Sequence, residues 1–193
     1  MKRFGINMKN NKFKIYGFDD AVRYRVYSMR SDKLTVFWRF ITHSGDRYVV
    51  ILLGVILLLK KSLREKYGVK FAIAALSSTA LYQIMKYIFQ RPRPDLALRL
   101  IEQGGYSFPS GHSMNCLVSF GILIYLLLKY CENRRLAKIL SVGLGLLTIL
   151  IGFSRVYVGV HYPTDIIGGW SLGIAVLVAM IYAFEKFDSR SEG

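Results

Sequence analysis

Three short polar segments carry the residues of this chain that could perform chemistry, and long apolar runs separate them. The segments are KYIFQRPRP at 86–94, PSGH at 109–112 and SRVYVGVHYPTD at 154–165. Their chemically useful residues are Lys86, Arg93, Ser110, Gly111, His112, Arg155, His161 and Asp165. Cations, imidazoles, a hydroxyl and a carboxylate in one set can bind a phosphate and attack it.

The second segment predicts a phosphate site at the start of a helix. Ser110 is a good N-cap ahead of an apolar run, and a helix N-terminus offers unpaired N–H groups and partial positive charge. Gly111 has no side chain and lets a ligand approach the backbone closely. The simpler interpretation is a helix cap followed by a surface histidine, His112.

The cations Lys86, Arg93 and Arg155 are candidate phosphate ligands. An arginine can bind two phosphate oxygens at once, whereas a lysine adds a point charge. Taken singly, a charge at the end of a membrane span is often an interfacial anchor, so the prediction depends on the three converging. Arg91 and Arg99 are close in sequence and are alternative ligands.

The third segment suggests a nucleophile with its orienting partner. Pro163 is expected to open the final helix, which places His161 in the preceding loop and Asp165 in the first turn. A carboxylate bonded to one ring nitrogen fixes the tautomer and frees the other nitrogen to attack, while His112 could protonate a leaving oxygen. Asp165 could instead only cap the helix. His43 is interpreted as an interfacial or loop histidine.

Composition and patterning predict an integral membrane protein. The chain has 193 residues, is 53% hydrophobic and has a mean hydropathy of +0.32. A soluble domain is rarely this apolar. The apolar residues gather in five runs, at 48–59, 71–85, 113–128, 139–153 and 166–184. The first run is too short to cross a bilayer alone, so it must borrow length from residues 37–41, tilt or pack inside the bundle.

The net charge of +15 has two possible explanations, nucleic-acid binding and membrane orientation. Nucleic-acid binding would require a soluble basic face, and the sequence disfavours it. The short basic loops at 60–70 and 129–138 should lie in the cytoplasm, which places the three polar segments together on the extracytoplasmic face. Five spans would leave the basic N-terminus outside, so either the segment before Tyr48 re-enters or the N-terminal region lies on the surface.

Three regions are predicted along the chain. Residues 1–44 form a basic interfacial segment, with an amphipathic helix near 20–29; residues 45–186 form the membrane-embedded domain; residues 187–193 form a short polar tail. Cys116 and Cys131 are interpreted as free packing thiols without a metal or redox role.

The pattern Lys86-x6-Arg93-Pro94, Pro109-Ser110-Gly111-His112 and Ser154-Arg155-x5-His161-x3-Asp165 resembles the three-part signature of the type-2 phosphatidic acid phosphatase superfamily. The resemblance covers about residues 45–186. It implies an all-α, polytopic membrane bundle of five to six helices with an acid phosphatase/vanadium haloperoxidase-like core. It also implies hydrolysis through a phosphohistidine, with no metal and no cofactor.

The same resemblance implies a role for each residue of the three motifs. His161 would be the nucleophile, Asp165 its orienting partner and His112 the acid that protonates the leaving group. The residues that would hold the phosphate are Lys86, Arg93, Ser110, the amide of Gly111, and Arg155.

The expected function is a multi-pass cell-membrane phosphatase with its active site on the extracytoplasmic face. Its partners would be the bilayer and a lipid phosphate, namely phosphatidylglycerophosphate, undecaprenyl diphosphate or phosphatidic acid, and not nucleic acid. The alternatives are a lipid or anion transporter without catalysis, or a phosphatase for a soluble sugar phosphate. A transporter would more often hold its charges near the bilayer midplane. No residue pattern sets an oligomeric state.

Overall fold

The structure is a computed structural model that describes residues 13–191, with side chains over 17–190. These residues form seven α-helices: α1 Phe13–Ser28, α2 Asp32–Ser44, α3 Arg47–Leu59, α4 Val69–Phe89, α5 Gly111–Tyr130, α6 Arg134–Tyr157 and α7 Pro163–Ser191. The predicted all-α class is confirmed. The helices exceed the predicted five to six because α1 and α2 form in addition to the apolar runs.

Helix α5 lies at the centre of the bundle and packs against α4, α6 and α7. Met114, Val118, Ile122 and Leu126 repeat every four residues along it and are fully buried. This spacing keeps them on one face of a 3.6-residue helix. Because the first turn of α5 carries His112, the packing of this helix also fixes one end of the predicted site.

Among the described residues, three helices are long and apolar enough to cross a membrane, namely α5, α6 and α7. The pair α2 and α3, bent by 44°, would make a fourth if it counts as one span. The short run at 48–59 therefore follows α2, which contains residues 37–41, through a bend. This matches the predicted alternative in which the run borrows length from those residues. Helix α4 is 21 residues long but carries Lys70 and Lys86, and it is not among the candidate spans.

The predicted start of two helices is confirmed, the predicted loop at 60–70 is wrong, and the polar tail at 187–193 stays a prediction. Ser110 is the N-cap of α5 and accepts a hydrogen bond from the amide of Ser113 at 3.4 Å, and α7 begins at Pro163. Residues 60–70 are not a loop, because a helical turn at Lys61–Leu63 and a π-helical stretch at Arg64–Gly68 lead directly into α4. Helix α7 runs on through the expected tail to Ser191.

Helix α1 confirms that a helix forms near residues 20–29, but it is more than a surface element. Val26 is buried against Val156 and Tyr157 of α6, and Asp19 is fully buried, whereas Met29 is exposed. Contacts therefore cross the predicted boundary at residue 44, and that division of the chain stays a prediction. The basic residues within 1–12 lie outside the described part.

An ionic cluster joins three helices at the end of the bundle that carries Lys70. The Lys70 ammonium donates to both oxygens of Asp188 at 2.8 and 2.7 Å, and Lys129 and Tyr130 donate to the same carboxylate at 3.0 Å. Lys70 lies at the start of α4 and Lys86 near its end. The predicted basic loops and the predicted phosphate site therefore occupy opposite ends of the bundle. Both Cys116 and Cys131 are free thiols, as predicted.

Close packing of α6 against α7 depends on Gly152. A Cβ atom at Gly152 would lie 2.3 Å from the Trp170 ring and 3.1 Å from Ile166. Real Cβ atoms do not approach that closely, so the ring or the helix would have to move. At Gly143, on the same helix, a Cβ would meet nothing within 4 Å.

We expect Gly152→Ala to lower the free energy of unfolding by about 1–3 kcal/mol, the typical cost of overpacking. Gly143→Ala is the matched control and should be neutral or stabilise by up to ~1 kcal/mol, because alanine is the better helix former. Thermal unfolding in detergent measures both. Equal midpoints for the two variants would contradict the packing role assigned to Gly152.

Candidate active site

A cavity of about 490 Å³ opens at the end of the bundle that carries Lys86. Six of the eight predicted residues line it: Lys86, Arg93, Gly111, His112, Arg155 and His161. Ser110 and Asp165 are fully buried and do not line it. The three sequence motifs therefore meet in one place, as the topology predicted.

His161 is held from both sides of its ring. Its Nδ1 lies 3.2 Å from Asp165 Oδ2, and its Nε2 lies 3.1 Å from Nη1 of Arg93. A guanidinium can only donate, so Nε2 is the acceptor and carries the lone pair. The ring proton is then on Nδ1, where it is donated to Asp165. The predicted contact between His161 and Asp165 is present, and it leaves Nε2 facing the cations.

The Asp165 carboxylate is buried and surrounded by donors. Oδ2 accepts from the Ser107 hydroxyl, from His161 and from the amide of Tyr162 at 2.9 Å. Oδ1 accepts from Nη1 of Arg91 at 2.7 Å. Buried carboxylates need such partners, because an unpaired one is costly in a low-dielectric interior. Asp165 is therefore more than a helix cap.

Arg91 and Asp19 complete the hydrogen-bond network of Asp165. The sequence did not indicate either of them as its partner. Arg91 was an alternative phosphate ligand, but it bridges Asp165 and Asp19, with Nη2 at 2.6 Å from Asp19 Oδ2. Asp19, on α1, also accepts from the Thr164 amide at 2.9 Å and thus caps the start of α7. No local signal in the sequence indicates Asp19. Arg99, the other alternative, binds backbone carbonyls of Pro94 and Gln103.

Three cations converge on the cavity and are oriented by neutral oxygen atoms. Arg93 Nε donates to the carbonyls of Gly104 and Gly105 at 3.0 and 2.9 Å, and Lys86 Nζ donates to the carbonyl of Tyr106 at 2.5 Å. Arg155 donates to the hydroxyl oxygen of Thr42 and to the side-chain amide oxygen of Gln103. Within residues 17–190, no carboxylate forms a salt bridge with any of the three cations.

Arg155 has a buried side-chain donor that forms no hydrogen bond within the part of the chain that the structure describes. Its side chain is 1% exposed, and its Nε has no hydrogen-bond partner among the described residues. A buried donor without a partner loses its hydration and gains nothing in return. An anion in the cavity would satisfy this donor and neutralise the converging positive charge.

The start of α5 is held close to the catalytic loop. The Ser110 amide donates to the backbone carbonyl of Asp165 at 3.0 Å, and the Ser110 hydroxyl accepts from Ser113. A Cβ at Gly111 would lie 3.1 Å from the Tyr82 ring. The glycine is therefore required by Tyr82 as well as by any ligand that approaches the helix N-terminus.

His112 has a partner that sequence reasoning missed. Its Nε2 lies 2.9 Å from Oδ1 of Asp46, in the bend between α2 and α3. Asp46 Oδ2 lies 2.9 Å from Nδ1 of His43, whose side chain is 62% exposed. His43 lies in the last turn of α2 rather than in a loop, and its interfacial position stays a prediction. Asp46 lies outside the three polar segments, and no local pattern in the sequence indicates its link to His112.

Among residues 17–190, no group of three or more His, Cys, Asp or Glu side chains has the arrangement needed to hold a metal ion. The predicted independence of metals and cofactors is a matter for experiment.

Burial and charge act together on His161. Its loop lies between α6 and α7. Burial, followed by the positive charges of Arg93, Arg155 and Lys86, lowers the pKa of His161 well below its ordinary value. A lowered imidazole pKa means that the neutral form persists into more acidic solution. His161 therefore keeps its lone pair at neutral pH.

Comparison with known proteins identifies the family. A sequence model of the PAP2 superfamily matches residues 67–189. Phosphatidylglycerophosphatase B of Bacillus subtilis is 30% identical over 178 residues, which cover 89% of this chain and 85% of the relative. The chain belongs to the PAP2 superfamily. The resemblance inferred from the three motifs is thereby confirmed, and the protein is a multi-pass membrane lipid phosphatase of the PAP2 type.

Two further similarities place the PAP2 chain among its relatives. An undecaprenyl-diphosphatase of Sulfolobus acidocaldarius is 34% identical over 139 residues, covering 69% of this chain and 63% of the relative. The crystal structure of a transmembrane PAP2-type phosphatidylglycerolphosphate phosphatase from Bacillus subtilis superposes with a TM-score of 0.81 at 27% identity, over 91% of this chain and 89% of that one.

The pKa shift of His161 gives a test. We expect the His161 imidazole to remain neutral at pH 6, where an ordinary histidine with pKa ~6.5 is largely protonated. Nitrogen NMR of histidine-labelled protein in detergent, assigned with His161→Gln, measures its titration. In Arg93→Gln one positive charge is gone, so the midpoint should move to higher pH. A native midpoint at or above the ordinary value would contradict the electrostatic argument.

The buried Asp19 gives a second test. Asp19→Asn should lower the free energy of unfolding by about 3 kcal/mol, because one charge of a buried pair is removed and the other remains. The matched control is Asp20→Asn, whose side chain is 70% exposed and pairs with Arg23, and its effect should stay within ~0.5 kcal/mol. Unfolding followed by fluorescence in detergent compares them. If both variants unfold together, Asp19 does not anchor α1 to the site.

Proposed function

We propose that this PAP2 protein hydrolyses a lipid phosphomonoester or diphosphate through a phosphohistidine on His161, without a metal ion. One observation carries the proposal: His161 Nε2 holds the lone pair and faces Arg93, while Nδ1 is committed to the buried Asp165. A nucleophile in this arrangement needs no separate base, because it is already deprotonated at the attacking atom.

The phosphate would sit among the cations and the start of α5. Arg93, Arg155 and Lys86 would bind its oxygens, and the N-terminal amides of α5 after Ser110 would add donors without extra charge. The unpartnered Nε of Arg155 supports this placement. These groups favour the transition state, in which negative charge on the transferring phosphoryl oxygens must be balanced.

The reaction would run in two balanced steps. Nε2 of His161 attacks phosphorus, the bond between phosphorus and the leaving oxygen breaks, and protonated His112 gives its proton to that oxygen, which is the lipid oxygen of a phosphomonoester or the bridging oxygen of a diphosphate. Water then attacks the phosphohistidine, neutral His112 takes a proton from the water, and phosphate leaves with Nε2 restored. Asp165 stabilises the positive ring in both steps through Nδ1.

Lipid substrates are favoured by the position of the cavity. Tyr48 of α3 and Tyr87 of α4 line it and are largely exposed, and such tyrosines are typical of the membrane–water interface. A head group could thus reach the cations while its chains stay in the bilayer. Phosphatidylglycerophosphate, undecaprenyl diphosphate and phosphatidic acid are the proposed candidates, and the names of the Bacillus and Sulfolobus relatives support the first two.

We further propose that the site faces the extracytoplasmic side. The cluster of Lys70 and Lys129 lies at the opposite end of the bundle from Lys86, and short basic segments remain in the cytoplasm. The binding-only transporter is less favoured, because a histidine with its orienting carboxylate adds nothing to simple binding.

Phosphate release from a panel of lipid phosphates, in detergent with EDTA, tests the proposal. The native protein should hydrolyse at least one lipid at full rate with the chelator present. His161→Ala should lose at least about 10³-fold in kcat, because no other group can accept the phosphoryl.

The controls separate mechanism from folding. Asp32→Asn changes an exposed carboxylate at the start of α2, and its phosphoenzyme chemistry should be intact. A phosphorylated His161 peptide should be recovered by mass spectrometry after rapid alkaline quenching. Turnover that EDTA abolishes, or a His161→Ala variant that keeps most of its activity, would overturn the phosphohistidine route.

A further inference from the structure

Asp46 stands at a helix start but does not cap the helix. It is the N-cap residue of α3, with φ −65° and ψ 148°, and its side chain makes no capping hydrogen bond. Aspartate at this position normally accepts from the first-turn amides. Both carboxylate oxygens bind histidine rings instead, one to His112 and one to His43, each at 2.9 Å. The carboxylate is therefore committed to residues outside its own helix.

The bend that carries Asp46 is packed tightly onto α5 and α6. A Cβ at Gly45 would lie 2.7 Å from Ile151 and 3.2 Å from Cys116 Sγ. Thr42, in the last turn of α2, accepts from Arg155 at 2.7 Å. The carboxylate of Asp46 is thus held at a fixed place beside His112 rather than on a free loop.

We infer that Asp46 is a positioning residue that acts through His112 to assist protonation of the leaving lipid oxygen. This inference rests on the proposed function. It adds a residue outside 67–189, the part of the chain that matches the PAP2 family. The residue lies in a segment that the sequence motifs do not cover.

The chemistry follows from which ring nitrogen Asp46 takes. The carboxylate accepts from Nε2–H of His112, so Nδ1 is the nitrogen available to the substrate. As the phosphorus–oxygen bond breaks, the Nδ1 proton passes to the lipid oxygen, and the neutral ring keeps its Nε2 proton on Asp46. In the second step Nδ1 takes a proton from the attacking water, which restores the imidazolium.

The charges around His112 explain why a carboxylate is needed there. Arg93 and Arg155 line the same cavity as the ring, and positive charge near an imidazole opposes its protonation. The Asp46 carboxylate lies 2.9 Å from the ring and favours its protonation, and His43 contacts the far oxygen of the same carboxylate. Without Asp46, His112 would have to hold its proton among cations with only the substrate phosphate to balance them.

The test compares two substrates in the native protein and in Asp46→Asn. One substrate is a lipid phosphomonoester that the native protein hydrolyses, whose alkoxide leaving group needs a proton. The other is an activated aryl phosphate, whose leaving group departs without one. We expect kcat for the lipid to fall about 10- to 100-fold with KM nearly unchanged, while the aryl phosphate stays within about threefold.

Three variants sharpen the comparison. Asp32→Asn removes an exposed carboxylate from α2 and should match the native protein on both substrates. Asp46→Glu retains the charge and should recover part of the lipid activity. In the background of His112→Ala, adding Asp46→Asn should cause no further loss, because the two residues act as one unit.

An equal loss on both substrates would overturn the inference, since it would indicate a structural role for Asp46. Unchanged turnover of the lipid in Asp46→Asn would overturn it as well, and would leave the proposed function intact. A native protein that cleaves no lipid phosphate would overturn both proposals.

Discussion

The site depends on one buried carboxylate that is shared among several donors. Asp165 accepts from a serine, a backbone amide, an arginine and the histidine that it orients, and its own carbonyl receives the amide of Ser110. A charge in such a place is tolerated only if every lone pair is used. Satisfying it therefore brings the segment between α4 and α5, the start of α5 and the start of α7 into one arrangement.

Asp165 is paired with a charge of opposite sign, whereas within residues 17–190 the three cations of the cavity are not. Arg93, Arg155 and Lys86 are held in place by carbonyl and side-chain oxygens, which orient them but do not cancel their charge. Positive charge gathered in this way is unfavourable until an anion arrives. Under the proposed function, part of the affinity for phosphate comes from relief of this repulsion, which is already present before the phosphate binds.

The sequence predicted helix starts and contacts between residues that are close together in the chain. It missed contacts between residues that are far apart in the chain. Ser110 as a cap, Pro163 as a helix start and the pairing of His161 with Asp165 depend on residues close together in the chain, so their spacing was enough. Asp19 and Asp46 were missed because their partners lie far away in sequence, Thr164 and His112, and because neither aspartate stands in one of the three polar segments. The loop expected at 60–70 was wrong because charged residues can extend a helix beyond the membrane.

The contact between Asp19 and Thr164 has a consequence for how the protein is made. The two residues are 145 positions apart, and the pair joins the first described helix to the last. During synthesis α1 leaves the ribosome long before α7 exists, so the orienting network around Asp165 cannot close until the final helix has been inserted. The contacts that hold Asp165 therefore form only at the end of synthesis, after every other described helix has been made.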